Sequence, residues 1–170
     1  MKTIIFKLDM IQKEEVLNVL QAVKDPEIPV ISVVDLGVIT DIQIISEDSI
    51  KVVMTPTFAG CPAIEVMKQG VYEQLKSIPG VKNVEVEVNY DIPWTSNRIS
   101  PCGRRLLKDF GLAPPPEIKG EFSLEVLESV PCPYCNSRNT TLKSAFGSTL
   151  CRSIHYCNDC LQGFEQFKPL

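Results

Sequence analysis

The fold of the larger, N-terminal part of the chain is decided by the stretch VITDIQIISEDSIKVVM, residues 38–54. Apolar and polar residues alternate from Val38 to Ile45, and 47–49 is a polar turn sequence. The following segment, Ile50 to Met54, is apolar and mostly β-branched. Alternation, a polar turn and a second β-branched run predict a β-hairpin.

Helices are predicted on both sides of this hairpin. Apolar residues recur every three or four positions in 13–24 and again in 62–77, and this spacing predicts a helix in each segment. The first helix is expected to end at Asp25-Pro26, because proline disfavours the α conformation of the residue before it. Pro62 suits the first turn of the second helix, which is expected to end near Ser77.

A third strand and a third helix complete this part. Valines alternate with polar residues over 84–88, which predicts a strand with one solvated face. Ser100-Pro101 resembles an N-cap and first helical position, and Gly111 follows the end of that helix. The order of elements predicts an α+β fold, a small sandwich of helices on a three-stranded mixed sheet.

The proline-rich segment after the third helix predicts a domain boundary. Ala113 is followed by three consecutive prolines, which cannot continue a helix and favour an extended connection. We therefore expect an α+β domain at residues 1–113, a linker at 114–120 and a cysteine-rich zinc ribbon at 121–170.

Four cysteines predict a metal site in the C-terminal module: Cys132, Cys135, Cys157 and Cys160. Two residues between the cysteines of a pair let both thiolates face one ion, and two such turns complete a tetrahedron. Four thiolates leave no open position for water, so we expect one structural zinc per chain. Iron, in a rubredoxin-like or cluster site, fits the same spacing. Cys151 and His155 lie close to these ligands in sequence and are expected to pack around the site.

Charge and the N-terminal residues bear on partners and location. The net charge of −4 gives no general basic footprint, which argues against binding to nucleic acid. The apolar run before Lys7 is only three residues long, too short for a signal-peptide core or a membrane span. The expected compartment is therefore cytoplasmic, where paired cysteines serve as metal ligands or reactive thiols.

Cys61 is the candidate functional thiol of the first domain. It lies at the start of the second predicted helix, where free N–H groups and the helix dipole favour a thiolate, so we expect a lowered pKa. The alternative is a small buried apolar residue. Thr57 lies on the preceding loop, and Glu27 and Asp35 are either loop braces or acidic groups beside Cys61. Cys102, within the third helix, is expected to be a packing residue.

Several motifs resemble known families. DPEIPV (25–30), DLG (35–37) and Thr57 with GCP (60–62) resemble the domain of iron–sulfur assembly factors, which include the eukaryotic cytosolic assembly targeting protein. The PaaD branch of that family is similar in PWT (93–95), RLL (105–107) and GLAPP (111–115). The resemblance to the PaaD branch continues in the C-terminal module, over CPYC (132–135), FGST (146–149) and YCNDCL (156–161).

The PaaD branch belongs to phenylacetate degradation and is associated with the multicomponent phenylacetyl-CoA epoxidase. The resemblance implies a non-catalytic accessory protein that helps to assemble the iron–sulfur or di-iron centre of that oxygenase. Cys61 would then bind iron or an iron–sulfur cluster transiently. The implied partners are oxygenase subunits or other iron–sulfur proteins, while a homodimer and a stoichiometric structural subunit stay open as alternatives. An enzyme with Cys61 as nucleophile is disfavoured, because the single histidine, His155, lies in the ribbon.

Overall fold

Residues 11–118 and 130–169 are described by a computed structural model. The apolar run after Met1, the end of the predicted linker and the first residues of the predicted ribbon lie outside these described residues. Within them, no helix is long and apolar enough to cross a membrane.

The first part of the chain is an α+β sandwich, as predicted. Its elements are α1 (Lys13–Leu20), β1 (Ile39–Ser46), β2 (Ser49–Met54), α2 (Ile64–Lys76), β3 (Asn83–Val88) and α3 (Pro101–Asp109). The sheet has the order β1-β2-β3, with β1 and β2 antiparallel and β2 and β3 parallel. The hairpin and the parallel neighbours on either side of α2 are both confirmed.

Alternation along β2 places one face of the sheet in the core. Ile50, Val52 and Met54 are buried, and the helical positions Met67 and Val71 are buried in the same hydrophobic cluster. Full burial of one such side chain stabilises the fold by about 1.5–3 kcal/mol. These contacts hold the loop between β2 and α2, which carries Cys61, on a rigid support.

The first helix is shorter than predicted. It ends at Leu20 instead of residue 24, and the chain continues as a turn in which Ala22 N–H donates to Val19 and Val23 N–H donates to Leu20. These i to i−3 bonds are tighter than those of an α-helix. Val23 lies outside the helix but is buried like the apolar residues of α1. Its spacing from them therefore led to a longer predicted helix.

A second sheet contains the ribbon. Its strands are β4 (Leu112–Ala113), β5 (Thr140–Ser144), β6 (Arg152–Cys157) and β7 (Gly163–Phe167), in the order β4-β7-β6-β5. β5, β6 and β7 form an antiparallel meander, whereas β4 pairs with β7 in parallel. The edge strand β4 of the ribbon sheet thus precedes the predicted linker in the sequence.

The ribbon packs directly on the α+β part. Phe167 is 1% exposed and lies against Trp94, with ring centroids 5.8 Å apart. Arg152 donates from Nη2 to the carbonyl oxygen of Glu27 over 3.0 Å. Asn97 and Ile118 exchange hydrogen bonds of 2.8 and 2.9 Å, which attach the proline-rich segment to the first part.

Candidate functional site

The four ribbon cysteines converge on one point. Their sulfur atoms all lie within 4.8 Å of one another, with Cys132 Sγ 3.6 Å from Cys160 Sγ and Cys135 Sγ 3.5 Å from Cys157 Sγ. A tetrahedral ion with metal–sulfur bonds of about 2.3 Å sets its ligand sulfurs about 3.8 Å apart. The thiols therefore fit a four-coordinate metal ion and form a metal site.

Two matching turns present these thiols. Asn136 follows the first cysteine pair and Leu161 follows the second, and both adopt positive φ, at 62° and 60°. Asn136 N–H donates to the carbonyl of Cys132 over 2.9 Å, and Leu161 N–H donates to that of Cys157 over 3.0 Å. The two turns have the same local geometry, so each directs both of its thiols toward the other pair.

Backbone donors prepare the site for a cation. The N–H of Cys160 is the main cause that lowers the pKa of the Cys157 thiol to about 7. Burial, by contrast, raises the pKa of the Cys160 thiol to about 12. A bound cation favours the thiolate form, and metal binding here releases protons for that reason.

His155 and Cys151 are engaged outside this cluster. The His155 ring is fully buried, shares a 2.9 Å hydrogen bond with Ser153 Oγ and stacks on Phe164 at 5.4 Å. The Cys151 sulfur lies 3.0 Å from Thr149 Oγ1 and is part of the core of the α+β sandwich. Both residues make packing contacts, and Cys151 faces the other part of the molecule.

Cys61 lies on the loop between β2 and α2. Its backbone N–H donates to the Phe58 carbonyl over 3.1 Å, and its half-buried side chain packs against the core. The helix begins only at Ile64, with Ala63 as N-cap, so Cys61 precedes the cap by two residues.

The pKa predicted for Cys61 is wrong in direction. Burial raises the pKa of this thiol, and the Ala63 backbone N–H, which lowers it, does not compensate. The negative groups of Asp25, Cys151 and Glu27 raise it further. Desolvation of the charged form outweighs the helix terminus here, because the thiol lies outside the first turn.

Asp25 and Glu27 are acidic residues whose charges raise the pKa of the Cys61 thiol. The buried Asp25 carboxylate accepts from the backbone N–H groups of Glu27 at 2.7 Å and Ile28 at 2.9 Å. It therefore braces the DPEIPV turn, while the Glu27 side chain is exposed. Asp25 was not among the predicted site residues, although its place before proline indicates such a turn.

Asp35 and Thr57, the other predicted site residues, are buried in separate surroundings. The Asp35 carboxylate accepts from the hydroxyls of Ser32 and Ser100, and so ties its loop to the start of α3. Thr57 lines a cavity of about 190 Å³ together with Phe58 and Trp94. Asp35 therefore braces its own loop, whereas Thr57 lies in the wall of this cavity.

A groove of about 400 Å³ runs between the end of α3 and the ribbon. We call it the ribbon groove. Phe110, Tyr134 and Ile154 line it and are all substantially exposed. It offers apolar surface next to the metal site.

Comparison with known proteins agrees with this architecture. Residues 13–88 match the model of the iron–sulfur cluster assembly protein family, and residues 118–168 match that of the PaaD zinc beta ribbon domain. The chain therefore combines an iron–sulfur assembly domain with a zinc ribbon. An Escherichia coli K12 protein, named as one of the subunits of 1,2-phenylacetyl-CoA epoxidase, is 34% identical over 157 residues, 92% of this chain and 93% of that protein. The chain belongs to the PaaD family.

Other similar proteins share the first part alone. An Fe-S protein maturation auxiliary factor of Bacillus subtilis is 33% identical over 52% of this chain and 85% of its own length. The crystal structure of a domain of unknown function from Bacillus anthracis is 29% identical, with a TM-score of 0.52 over 55% of this chain and 89% of that one. A conserved hypothetical protein of Thermotoga maritima is 43% identical, with a TM-score of 0.50 over 60% and 96%.

Proposed function

We propose that this chain is a non-catalytic accessory protein that helps to assemble the iron–sulfur or di-iron centre of a multicomponent phenylacetyl-CoA epoxidase. The observation that carries the proposal is the half-buried thiol of Cys61, on the loop before α2 in the part that matches iron–sulfur assembly proteins. Similarity to the E. coli epoxidase protein along 92% of the chain supports the choice of client.

The surroundings of Cys61 suit transient binding. Because burial raises the pKa of this thiol, it stays protonated at neutral pH in the absence of a cation. Iron or a cluster would displace the proton to solvent, and the negative charges of Asp25 and Glu27 would favour the arriving cation. A ligand that must lose a proton to bind releases its cargo more readily than a preformed thiolate does.

The ribbon has a structural role in this proposal, with one zinc ion held by four thiolates. The sulfur separations of 3.5 and 3.6 Å fit zinc, and a four-thiolate site leaves no position for a reacting water. Zinc would supply much of the stability of a module this small. The ribbon groove beside it would then contact the client protein.

Complementation of a strain that lacks this protein tests the proposal. We expect the wild-type gene and a Cys102→Ala control to restore epoxidase activity in cell extracts, and Cys61→Ala to restore little or none. Cys102 is exposed on α3, so the packing role expected for it is wrong, and its removal leaves the Cys61 loop intact. Full restoration by Cys61→Ala would contradict the proposed role of this thiol.

A second candidate function is a stoichiometric structural component of the same oxygenase. The exposed apolar residues of the ribbon groove favour it, because such surfaces commonly form stable protein contacts. Size-exclusion chromatography distinguishes the two functions. Elution with the oxygenase subunits at a fixed ratio supports the structural component, and elution of the active oxygenase without this protein supports the assembly factor.

A further inference from the structure

Asp159 lies inside the second cysteine pair of the ribbon, between Cys157 and Cys160. Its carboxylate accepts a hydrogen bond of 2.5 Å from the hydroxyl of Ser137 and one of 2.7 Å from the side-chain amide of Asn139. Both donors follow the first cysteine pair in the sequence. One side chain of the second cysteine turn therefore binds two side chains that belong to the first.

The two donors are themselves fixed to the first turn. The carbonyl of Ser137 accepts from the N–H of Cys132 over 2.9 Å, so this residue closes the turn that presents the first cysteine pair. The hydroxyl of Ser137 also accepts from the N–H of Asn139 over 3.0 Å, which holds the two donors beside each other. The first turn thus offers Asp159 two donors at fixed positions.

The neighbouring Asn158 adds a second connection between the two turns. Its N–H donates to the carbonyl of Asn139 over 2.9 Å, and its side-chain amide donates to Asn139 Oδ1 and to Thr141 Oγ1, each over 3.1 Å. Asn139 therefore contacts both residues that separate the cysteines of the second pair. Protein groups alone make these bonds, so they fix the relative position of the turns independently of metal–sulfur bonds.

We propose that Asp159 is a positioning residue of the metal site, because through Ser137 and Asn139 it holds the two cysteine turns at the separation that a tetrahedral ion requires. We call these three residues the inter-turn clamp. As the thiols lose their protons on metal binding, their negative charges repel one another, and the clamp holds the turns together without supplying a ligand. The inference rests on the zinc site of the proposed function and adds to it residues that bind no metal.

The clamp should act on metal retention more than on overall stability. Asp159 and Asn139 are exposed, and hydrogen bonds of exposed groups contribute only modestly to the free energy of unfolding. Release of zinc, in contrast, requires the two cysteine turns to move apart, and this motion breaks the bonds of the clamp. Loss of the clamp should therefore appear first as weaker binding and faster release of zinc.

Zinc transfer from the full chain to a chromophoric chelator tests the inference. Affinity and release rate are measured for wild type, Asp159→Ala, Ser137→Ala, the double variant and the control Asp91→Ala, which changes an exposed aspartate of the first part. We expect each single clamp variant to bind zinc about tenfold more weakly than wild type and the control. The double variant should resemble Asp159→Ala, because both changes remove the same bond.

Spectra of the cobalt-substituted protein distinguish positioning from a general loss of structure. Co²⁺ held by four thiolates gives the absorption bands of a tetrahedral site, and every variant saturated with Co²⁺ should show the wild-type bands. Altered bands at saturation would mean that the variants deform the ribbon, which contradicts a role limited to positioning.

The zinc measurements separate this inference from the zinc assignment itself. A single clamp variant that retains zinc as wild type does overturns the inference and leaves the zinc site intact. The same holds for a double variant whose loss of affinity equals the product of the two single losses. A wild-type chain that binds no zinc contradicts both the inference and the zinc assignment.

Discussion

Gly37 shows how one residue determines the shape of the DLG loop. Its φ is +73°, and a Cβ there would lie within 2.6 Å of the Arg98 Cβ and closer still to the Arg98 carbonyl oxygen. Trp94 donates from Nε1 to the carbonyl of the preceding Leu36 over 3.1 Å. The glycine of the DLG motif is therefore explained by the tight packing of this loop against the segments that contain Arg98 and Trp94.

Gly37→Ala should destabilise the protein strongly, and Gly80→Ala is its matched control. Both glycines have positive φ, but a Cβ at Gly80 would meet nothing within 4 Å. In both variants, the left-handed conformation should lower the free energy of unfolding by about 1–2 kcal/mol. The steric overlap at Gly37 should lower it by about 1–3 kcal/mol more. Denaturant unfolding measures both values. Equal losses would show that the contact with Arg98 is unimportant.

The raised pKa of Cys61 predicts how this thiol reacts with an alkylating agent at different pH values. The reactive thiolate is half formed at the pKa, so the alkylation rate should reach half its maximum at a pH above the value near 8.5 of free cysteine. Glu27→Gln removes one neighbouring negative charge and should shift this midpoint downward. Mass spectrometry of the Cys61 peptide across pH gives the midpoint. A midpoint below that of free cysteine would show that burial does not govern the pKa of this thiol.

These residues also show what a sequence can indicate. The spacing of the ribbon cysteines was sufficient to predict their convergence, because two short turns fix the local geometry. The pKa of Cys61 was predicted wrongly, since its position near a helix start is visible in the sequence but its burial is not. The place of Cys151 in the core of the α+β sandwich was missed, because this residue lies between the two ribbon cysteine pairs in sequence and no periodic pattern connects it to the first part.

Local sequence patterns were sufficient to predict the elements of the first sheet but not those of the second. The hairpin, α2 and β3 follow from alternation and helical spacing, and each is observed where it was expected. Pairing of β4 with β7 was not foreseen, because a two-residue strand carries no pattern of its own. The same holds for the hydrogen bonds between Asn97 and Ile118, which depend on tertiary contacts.

Arg152 connects the ribbon to the first part through a side-chain hydrogen bond to the Glu27 carbonyl. Arg152→Met should keep much of its packing while removing the bonds to Glu27 and Glu165. Loss of these charge-assisted bonds should lower the free energy of unfolding by about 2 kcal/mol. Lys143→Met, which removes an exposed cation over Tyr156, is the control and should lower the free energy of unfolding far less. Thermal unfolding compares the two, and equal effects would refute the anchoring role of Arg152.

At the scale of the whole molecule, the two parts are joined through a shared core. Trp94 is the single tryptophan of the chain, and it contacts Phe167 in the last strand of the ribbon. The metal site and the sandwich core are therefore linked through β7. A domain organisation with the boundaries 1–113, 114–120 and 121–170 stays a prediction, but the two parts are in direct contact.

Removal of the ribbon metal should be visible at Trp94. A strong chelator should unfold the ribbon, separate Phe167 from Trp94 and shift the tryptophan emission to longer wavelength as that ring becomes hydrated. Re-addition of zinc should reverse the shift. Stopped-flow fluorescence recorded beside a zinc indicator measures both rates. Release of zinc with unchanged tryptophan emission would show that the ribbon keeps its docked structure without metal.

The proposed function requires that this protein supplies a metal centre to an oxygenase without being part of it. The most direct measurement is chemical reconstitution of phenylacetyl-CoA epoxidase purified from cells that lack this protein. We expect a metal-poor, inactive oxygenase that regains activity when iron and sulfide are added anaerobically in the absence of this chain. An oxygenase that already contains its full complement of metal, or that stays inactive after full reconstitution until this protein is added at a fixed ratio, would contradict it.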